Sequence, residues 1–346
     1  MPTGPRNLIT GVSGLAVGNA QDEKLASGVT VILCDEATTA AASVFGGGPG
    51  TREMDALGLE GLVGAADAIV LSGGSAFGLD AATGVQSFLR EQGRGFAVRE
   101  ARVPIVPQAI LFDLLNGGDK SWGRHPPYRD LAYDAAASAA PVFGQGSAGA
   151  GFGAMIAAGR GRVIRGGLGS VSERLSLLSE RGAEVTVGAL AAVNVAGAVT
   201  VADTPHFWAA PFEHGNEFGG LGSPNPWPAS SGLPQFKFPL PERSNTTLCV
   251  AATDAALNQA QCKRLAVMAA AGMARAMFPV FTPFDGDVVF ALATGKVPLA
   301  NPLMALPYIG AAAANCVARA IARGVYEASG NLPDGTPSYC QLFAQP

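Results

Sequence analysis

Glycine and proline interrupt this chain at short intervals, which predicts many tight turns between short secondary-structure elements. The 346 residues contain 46 glycines and 24 prolines, yet no segment is a low-complexity repeat. Between these breaks, runs rich in valine and isoleucine alternate with runs rich in alanine. The pattern predicts an α/β protein in which short strands alternate with alanine-rich helices.

The composition predicts a globular protein that acts on small molecules or peptides. Apolar residues make up 48% of the chain, which is enough for a sizeable core. The formal net charge is −4 and the lysines and arginines form no cluster, so nucleic acid and anionic membranes are not expected as partners. The N-terminal residues lack the basic and apolar regions of a secretory signal, and we therefore expect a cytoplasmic protein.

The predicted elements follow the same alternation. Strands are expected over 27–36, 64–74, 246–255 and 286–295, and helices over 77–93, 128–140, 258–277 and 307–330. The valine-rich segment 184–203 predicts two buried strands or one long bent strand, because its glycine breaks argue against a helix. Residues 204–245 are rich in proline and glycine, and so long a loop is unusual in a compact domain unless it is functional or processed.

Cysteine and histidine usage argues against a metal or disulfide framework. The five cysteines form no C-x-x-C pair, and their odd count and apolar neighbourhoods predict reduced, buried thiols. The three histidines, His125, His206 and His214, lack the i,i+4 spacing of helical metal ligands. We expect no bound metal.

The string GAGFGA (149–154) fits a dinucleotide-binding pattern, with Glu173 about twenty residues further on. Such a site needs a strand directly before the glycines and a helix directly after them. Here a loop precedes the string and a strand-like run follows it. We therefore interpret the glycines as points of close backbone approach, and we expect no cofactor.

The segment LSGGSAFGLDAATG (71–84) raises the alternative of a serine nucleophile at Ser72 or Ser75. Neither serine lies in a G-x-S-x-G pattern, and no histidine is placed to serve it. The favoured interpretation is therefore a glycine turn leading into a helix N-terminus, whose N–H groups could bind an anion or a carbonyl. Ser72 and Gly73 are on this basis candidate substrate-binding residues.

The strand predicted at 246–255 begins on two threonines, directly after Asn245 and the long loop. A threonine hydroxyl becomes nucleophilic when its residue is N-terminal, because the α-amine, with a pKa near about 8, takes the proton. Self-cleavage would create that terminus if the Thr246 hydroxyl attacked the Asn245 carbonyl and water then cleaved the ester. From these residues alone, an ordinary strand that starts on β-branched residues remains the more frequent alternative.

Two further features are compatible with this chemistry. Asp285 and Asp287 lie two residues apart, so an extended backbone would place both carboxylates on one face, where they could hold an ammonium group and polarise a hydroxyl. An Asp-Gly turn before a strand is equally compatible with this pair. Asn194 stands alone among aliphatic residues, and its buried amide could serve a structural hydrogen bond or an oxyanion.

Taken together and in order, these residues resemble the self-processing peptidases of the L-aminopeptidase/D-esterase type, which include β-peptidyl aminopeptidases and the nylon-oligomer hydrolase. The resemblance runs through nearly the whole chain. It is carried by GVTVIL (28–33), GGGPGTRE (46–53), AIVLSGGSAFGLDAATGV (68–85), VPIVPQAILFDL (103–114), GSAGAGFGA (146–154), RGGLGS (165–170), Asn194, SNTTLCVAATDA (244–255) and TPFDGDVVFALATG (282–295).

The resemblance implies a single catalytic domain over 1–346 with an α/β fold, a four-layer αββα sandwich. This sandwich is similar to that of N-terminal-nucleophile hydrolases but has the distinct connectivity of the aminopeptidase/ornithine acetyltransferase-like group. It implies cleavage between Asn245 and Thr246 into a long chain (1–245) and a short chain (246–346), which assemble as a tetramer of such units. It also implies that Thr246 is the nucleophile and that Asn194 helps to form the oxyanion hole. Asp285 and Asp287 match the acidic pair of the nylon-oligomer branch.

This chain departs from the family at two positions. In characterised members of the family, a tyrosine helps to bind the reacting carbonyl. The matching position in this chain is Phe112, which has no hydroxyl, so another group must complete the oxyanion hole. A catalytic lysine of the nylon enzyme matches only loosely a segment in which Arg160, Arg162 or Arg165 could supply charge, and arginine cannot shuttle a proton. Phe112 and Arg165 are accordingly further candidate substrate-binding residues.

The function predicted is hydrolysis of amide bonds in peptides or amino-acid amides through an acyl-enzyme on Thr246. Asp285 and Asp287 would orient the amine and the hydroxyl, and Asn194 would stabilise the oxyanion. Two alternatives stay open: a catalytically silent small-molecule-binding protein of the same fold, and an endo-amidase that cleaves oligomers of ω-amino acids.

Overall fold

A computed structural model of the chain describes residues 3–4, 6–177, 180, 182–237 and 245–343. The strands are β1 (Leu15–Asp22), β2 (Ser27–Val44), β3 (Thr51–Arg52), β4 (Ala65–Ser72), β5 (Phe96–Val98), β6 (Ala101–Val103), β7 (Gln108–Ile110), β8 (Met155–Ala157), β9 (Val163–Arg165), β10 (Gly167–Leu177), β11 (Ala183–Asn194), β12 (Thr246–Ala255) and β13 (Val288–Val297). The helices are α1 (Ala81–Glu91), α2 (Tyr128–Ala137), α3 (Gln259–Ala269), α4 (Ala271–Ala276), α5 (Pro302–Tyr326) and α6 (Tyr339–Phe343).

Nine of the described strands form one hydrogen-bonded sheet in the order β10-β11-β12-β13-β2-β4-β7-β3, with β1 paired to β2. Strand β12 is central: it pairs antiparallel with β11 and parallel with β13. The 18-residue strand β2 joins two parts of the sheet: residues 29–33 and, after a register shift, 38–39 pair with β4, whereas residues 39–44 pair with β13.

Side chains alternate between two apolar clusters along the central strands. In β11, Leu190 and Ala192 belong to an inner cluster that also contains Ile32 of β2 and Phe290 of β13. Their neighbours on the opposite face belong to a cluster formed with the side chains of α3 and α5. A third cluster packs α1 and α2 against β2 and β4. Because both faces of β11 and β12 are covered, these strands are continuous apolar runs rather than alternating ones.

Helices lie in all four predicted segments, but 258–277 forms two helices, α3 and α4, where the sequence predicts one, and 77–93 becomes α-helical only at Ala81, after a 3₁₀ turn. Helix α5 begins at Pro302, ahead of the predicted position, since Asn301 accepts a hydrogen bond from the Met304 N–H as its N-cap and proline suits the first turn. It ends at Tyr326, before Gly330. By length and composition α5 could cross a membrane, but most of its apolar window is buried inside the fold, as in a core helix.

The prediction for the segment 184–203 is corrected in part, whereas the loop-to-strand context predicted for the GAGFGA string is confirmed. The segment 184–203 forms one strand that ends at Asn194, and the buried residues after it are irregular. The GAGFGA string contains a short 3₁₀ turn at Gly149–Gly151 and leads into strand β8, so the strand–glycine–helix context of a dinucleotide site is absent there. Four cysteines are buried as expected, whereas Cys340 is exposed.

Candidate active site

The Asn245–Thr246 junction lies at the edge of the central strands, where three chain segments meet. Thr246 is the first residue of β12 and pairs directly with Asn194, the last residue of β11. Asn245 forms a parallel bridge with Asp285, just ahead of β13. The four side chains are buried, and Thr246 is 3% exposed. Residues far apart in sequence therefore converge because their strands end at the same edge.

The carbonyl oxygen of Asn245 accepts two hydrogen bonds. The Thr246 hydroxyl donates to it at 2.5 Å, and the backbone N–H of Gly286 donates at 3.0 Å. A Cβ atom at position 286 would lie 2.6 Å from the Thr246 hydroxyl oxygen, so only glycine leaves room for this approach. The hydroxyl is thus placed beside the carbonyl that precedes it, and an N–H group points at the same oxygen.

The two carboxyl groups lie on the β13 side of the junction. Asp287 accepts hydrogen bonds from the Thr247 N–H at 2.7 Å and from the Phe281 N–H at 3.2 Å. Asp285 accepts one from the Thr282 N–H at 2.9 Å, and its other oxygen has no partner among the residues that the structure describes. Burial, reinforced by the charge of Asp285, raises the pKa of Asp287 to about 7.

The Asn194 carboxamide connects three segments on the β11 side. Its oxygen accepts hydrogen bonds from the Met155 N–H at 3.0 Å and from the Lys237 ammonium at 3.0 Å. Its nitrogen donates to the Phe112 carbonyl at 2.9 Å. The buried amide thus serves structural hydrogen bonds, as one of the two sequence interpretations requires, and it does so next to Thr246.

Lys237 is a site residue that sequence reasoning missed. Lys237 lies near the end of the long loop, yet only 5% of its surface is exposed. Its ammonium also donates to the carbonyls of Met155 at 2.9 Å and Asn194 at 3.2 Å. Burial lowers the pKa of Lys237 to about 7, while the carboxylates of Asp285 and Asp113 oppose that shift. A lysine between two phenylalanines in a proline-rich loop gives no local signal that it will be buried.

A cavity of about 370 Å³ opens on the junction. Its lining is formed by Gly47, Gly48, Pro49, Ser75, Ile110, Phe112, Asn245, Thr246, Pro283 and Phe284. None of these side chains is charged, and the large ones are apolar. The cavity therefore brings an uncharged surface, made of apolar side chains and polar groups in similar measure, against the Thr246 hydroxyl.

The remaining sequence candidates are divided by this geometry. Phe112 lines the cavity, and its carbonyl binds Asn194. Ser72 and Gly73 are not among the lining residues: the Ser72 hydroxyl donates to the Gly73 carbonyl at the end of β4. Arg165 is also outside the lining, because its guanidinium donates to the carbonyls of Ser329 and Phe152. The neighbouring turn that follows Gly73, by contrast, supplies Ser75 to the cavity.

Arg160 and Arg162, the other arginines considered as sources of charge, also have partners elsewhere. Arg160 pairs with Asp203, and Arg162 donates to the Gly159 carbonyl at 3.4 Å. The cation beside Asn194 is Lys237, which reaches the site from a different part of the chain. The arginines around residue 160 therefore do not supply the charge that the sequence analysis considered for this site.

Residues 7–332 match the model of peptidase family S58, and the chain belongs to this family. An uncharacterized aminopeptidase of Mycobacterium tuberculosis is 41% identical, over 97% of this chain and 98% of the relative. A 6-aminohexanoate-oligomer endohydrolase of Kocuria is 27% identical, over 86% of this chain and 78% of the relative.

The fold is similar to that of a solved L-aminopeptidase D-Ala-esterase/amidase from Ochrobactrum anthropi, whose structure is described as a variant of the Ntn-hydrolase fold. The TM-score is 0.65 at 20% identity, covering 95% of this chain and 88% of the other. The chain therefore has a mixed α/β fold with neighbours among aminopeptidases of the Ntn-hydrolase type.

Proposed function

We propose that this chain is a self-processing peptide or amide hydrolase whose nucleophile is the Thr246 hydroxyl. The observation that carries the proposal is the placement of that hydroxyl, 2.5 Å from the Asn245 carbonyl oxygen and on the wall of a cavity. Membership of a peptidase family and the aminopeptidase name of the M. tuberculosis relative support hydrolysis of peptide or amide bonds.

In the proposed processing step, the Thr246 oxygen adds to the Asn245 carbonyl carbon and the C–N bond breaks, while the hydroxyl proton passes to the leaving nitrogen; the products are an ester and a free α-amine on Thr246. Water then cleaves the ester and leaves two chains, 1–245 and 246–346. The Gly286 N–H, which already donates to the Asn245 oxygen, would stabilise the negative charge that develops there.

In turnover, the Thr246 hydroxyl adds to the substrate carbonyl while its α-amine takes the proton and returns it to the leaving amine. Water then hydrolyses the acyl ester, which releases the acid and restores the hydroxyl. The unpartnered oxygen of Asp285 and the adjacent Asp287 would hold the new ammonium group. Asn194 would donate to the oxyanion, an interaction whose loss typically costs about 3 kcal/mol.

The cavity favours substrates whose acyl side is uncharged, since its described lining contains no charged side chain. The 27% identical Kocuria relative is named for an oligomer of a linear ω-amino acid. It therefore favours a second candidate, an endo-amidase that cleaves such oligomers at the same nucleophile. The four-layer connectivity and the tetramer of cleaved units that the resemblance implies are part of the same proposal.

The test compares wild type with Thr246→Ala and with the neighbouring Thr247→Val as a matched control. Amino-acid p-nitroanilides and 6-aminohexanoate oligomers serve as substrates. We expect Thr246→Ala to remain one chain and to lose at least about a thousandfold in kcat/KM, because a nucleophile is removed. Thr247→Val keeps its backbone N–H for Asp287 and should process and turn over.

Wild-type turnover in Thr246→Ala would contradict the proposal. Saturable binding of these amides without any turnover by wild type would favour the silent binding protein. The relative rates on the two substrate classes distinguish the aminopeptidase from the endo-amidase.

A further inference from the structure

The hydrogen-bond partners of the Asn194 carboxamide, Lys237 among them, determine which end of the amide is the oxygen and which is the nitrogen. The ammonium of Lys237 and the N–H of Met155 both face the same end of the amide, and both groups can only donate. The atom they face must therefore be the oxygen. At the other end, the Phe112 carbonyl can only accept, so the atom facing it must be the nitrogen.

In this orientation the Asn194 nitrogen donates to a residue of the cavity wall, although Asn194 does not itself line the cavity. Phe112, which receives the amide N–H, lines the same cavity as Thr246. Asn194 and Thr246 are direct partners across β11 and β12. While Lys237 is protonated, its charge on the amide oxygen also draws electron density from the nitrogen, which strengthens the N–H as a donor.

We propose that Lys237 is a positioning residue for hydrolysis: it fixes and polarises the Asn194 carboxamide so that the amide N–H stabilises the oxyanion. This inference rests on the proposed function. On this inference the long loop (204–245) also contributes a residue to the site, besides ending at the proposed cleavage point. The backbone N–H of Lys237 donates to the Ala196 carbonyl at 2.9 Å, which anchors the loop beside the end of β11 and delivers the lysine to Asn194.

The test is a double-mutant cycle with Lys237→Met, Asn194→Ala and the double variant in the full-length protein. The kcat value of each is normalised to the amount of chain that begins at Thr246. We expect Lys237→Met to lower kcat by about 10- to 100-fold with KM changed by less than about twofold, since the lysine acts through Asn194. The double variant should be no slower than Asn194→Ala alone, because the lysine has nothing left to position.

Lys263→Met is the matched control. Its ammonium also donates to a backbone carbonyl, that of Ala42, but it lines a different cavity, and this variant should keep wild-type kcat. Lys237→Ala provides a second readout: ethylamine should restore part of the lost kcat by occupying the vacated amine position, whereas ethanol should not.

Several results would overturn the inference. These are a normalised kcat of Lys237→Met equal to wild type, an effect confined to KM, additive losses in the double variant, or a folded Lys237→Met protein that no longer splits. A wild-type protein that neither splits nor hydrolyses amides would instead remove the proposed function itself, so the two failures are distinguishable.

Discussion

At the scale of single residues, Asp287 is the group whose burial has the clearest consequence. It is fully buried beside Asp285, and both effects disfavour its charged form, so its pKa is raised to about 7. Two backbone N–H groups that donate to it limit the shift but do not reverse it. Before processing, Asp287 therefore keeps its proton at pH values where an exposed aspartate would be ionised.

This shift predicts how the stability of the unprocessed chain depends on pH. In the unfolded chain the carboxyl loses its proton near about pH 4, whereas in the folded chain it keeps the proton up to about pH 7. Because the folded state binds more protons in that window, its stability should fall as pH rises from about 4 to about 7. In Thr246→Ala/Asp287→Asn that fall should be shallower than in Thr246→Ala.

Urea unfolding at several pH values measures this difference, with both proteins held as single chains by the Thr246→Ala change. An equal or steeper decline in the Asp287→Asn variant would show that Asp287 is ionised in the folded, unprocessed chain.

At the scale of elements, the turn between Asp285 and Asp287 determines how closely β13 approaches the start of β12. Gly286 supplies an N–H to the Asn245 carbonyl and has no side chain to displace the Thr246 hydroxyl. A methyl group there would lie 2.6 Å from that hydroxyl and 2.9 Å from the Gly48 carbonyl oxygen. Strand β12 can therefore present Thr246 to the carbonyl only because this turn contains glycine.

We expect Gly286→Ala to slow splitting at Thr246 by at least about tenfold, because the added methyl group must push the hydroxyl or the backbone out of position. Gly232→Ala is the control, since a Cβ atom there has no heavy atom within 4 Å. A gel time course of freshly made protein gives the rate, and wild-type splitting in Gly286→Ala would contradict the geometry proposed for processing.

The limits of the strands differ in how well the sequence predicts them. The sequence predicts strand β12 at its observed limits, 246–255, because its apolar β-branched run is bounded by clear breaks. It predicts strand β2 only to residue 36, since the following ATTAAASV has no strong strand preference and is held in the sheet by pairing with β13. The junction residues are identifiable from type and order, whereas Lys237 is not, because its burial depends on tertiary contacts of a loop.

At the scale of the whole molecule, a buried charge network ties distant segments together. Arg319 of α5 is fully buried and donates to Glu173 of β10 at 3.0 Å and to Glu217 of the long loop at 2.5 and 2.9 Å. It also binds Asn7 near the N-terminus at 3.0 Å. The loop that carries Lys237 is thereby fixed to the helical layer as well as to the strand ends.

Removing this arginine should destabilise the fold strongly. In Arg319→Met, Glu173 and Glu217 lose their buried counterion, and we expect the free energy of unfolding to fall by about 3 to 5 kcal/mol. Glu327→Gln, which removes a partly exposed partner of Arg323, should change it by less than about 1 kcal/mol. Urea unfolding on the Thr246→Ala background compares them, and a loss below about 1 kcal/mol for Arg319→Met would contradict the role assigned to the network.

The most direct test of self-processing is intact-protein mass spectrometry of active wild type under denaturing conditions. The account predicts two polypeptides, one ending at Asn245 and one beginning at Thr246, and an uncut Thr246→Ala chain. An active preparation whose only species is the unbroken 346-residue chain would contradict it, because Thr246 would then have no α-amine to activate its hydroxyl.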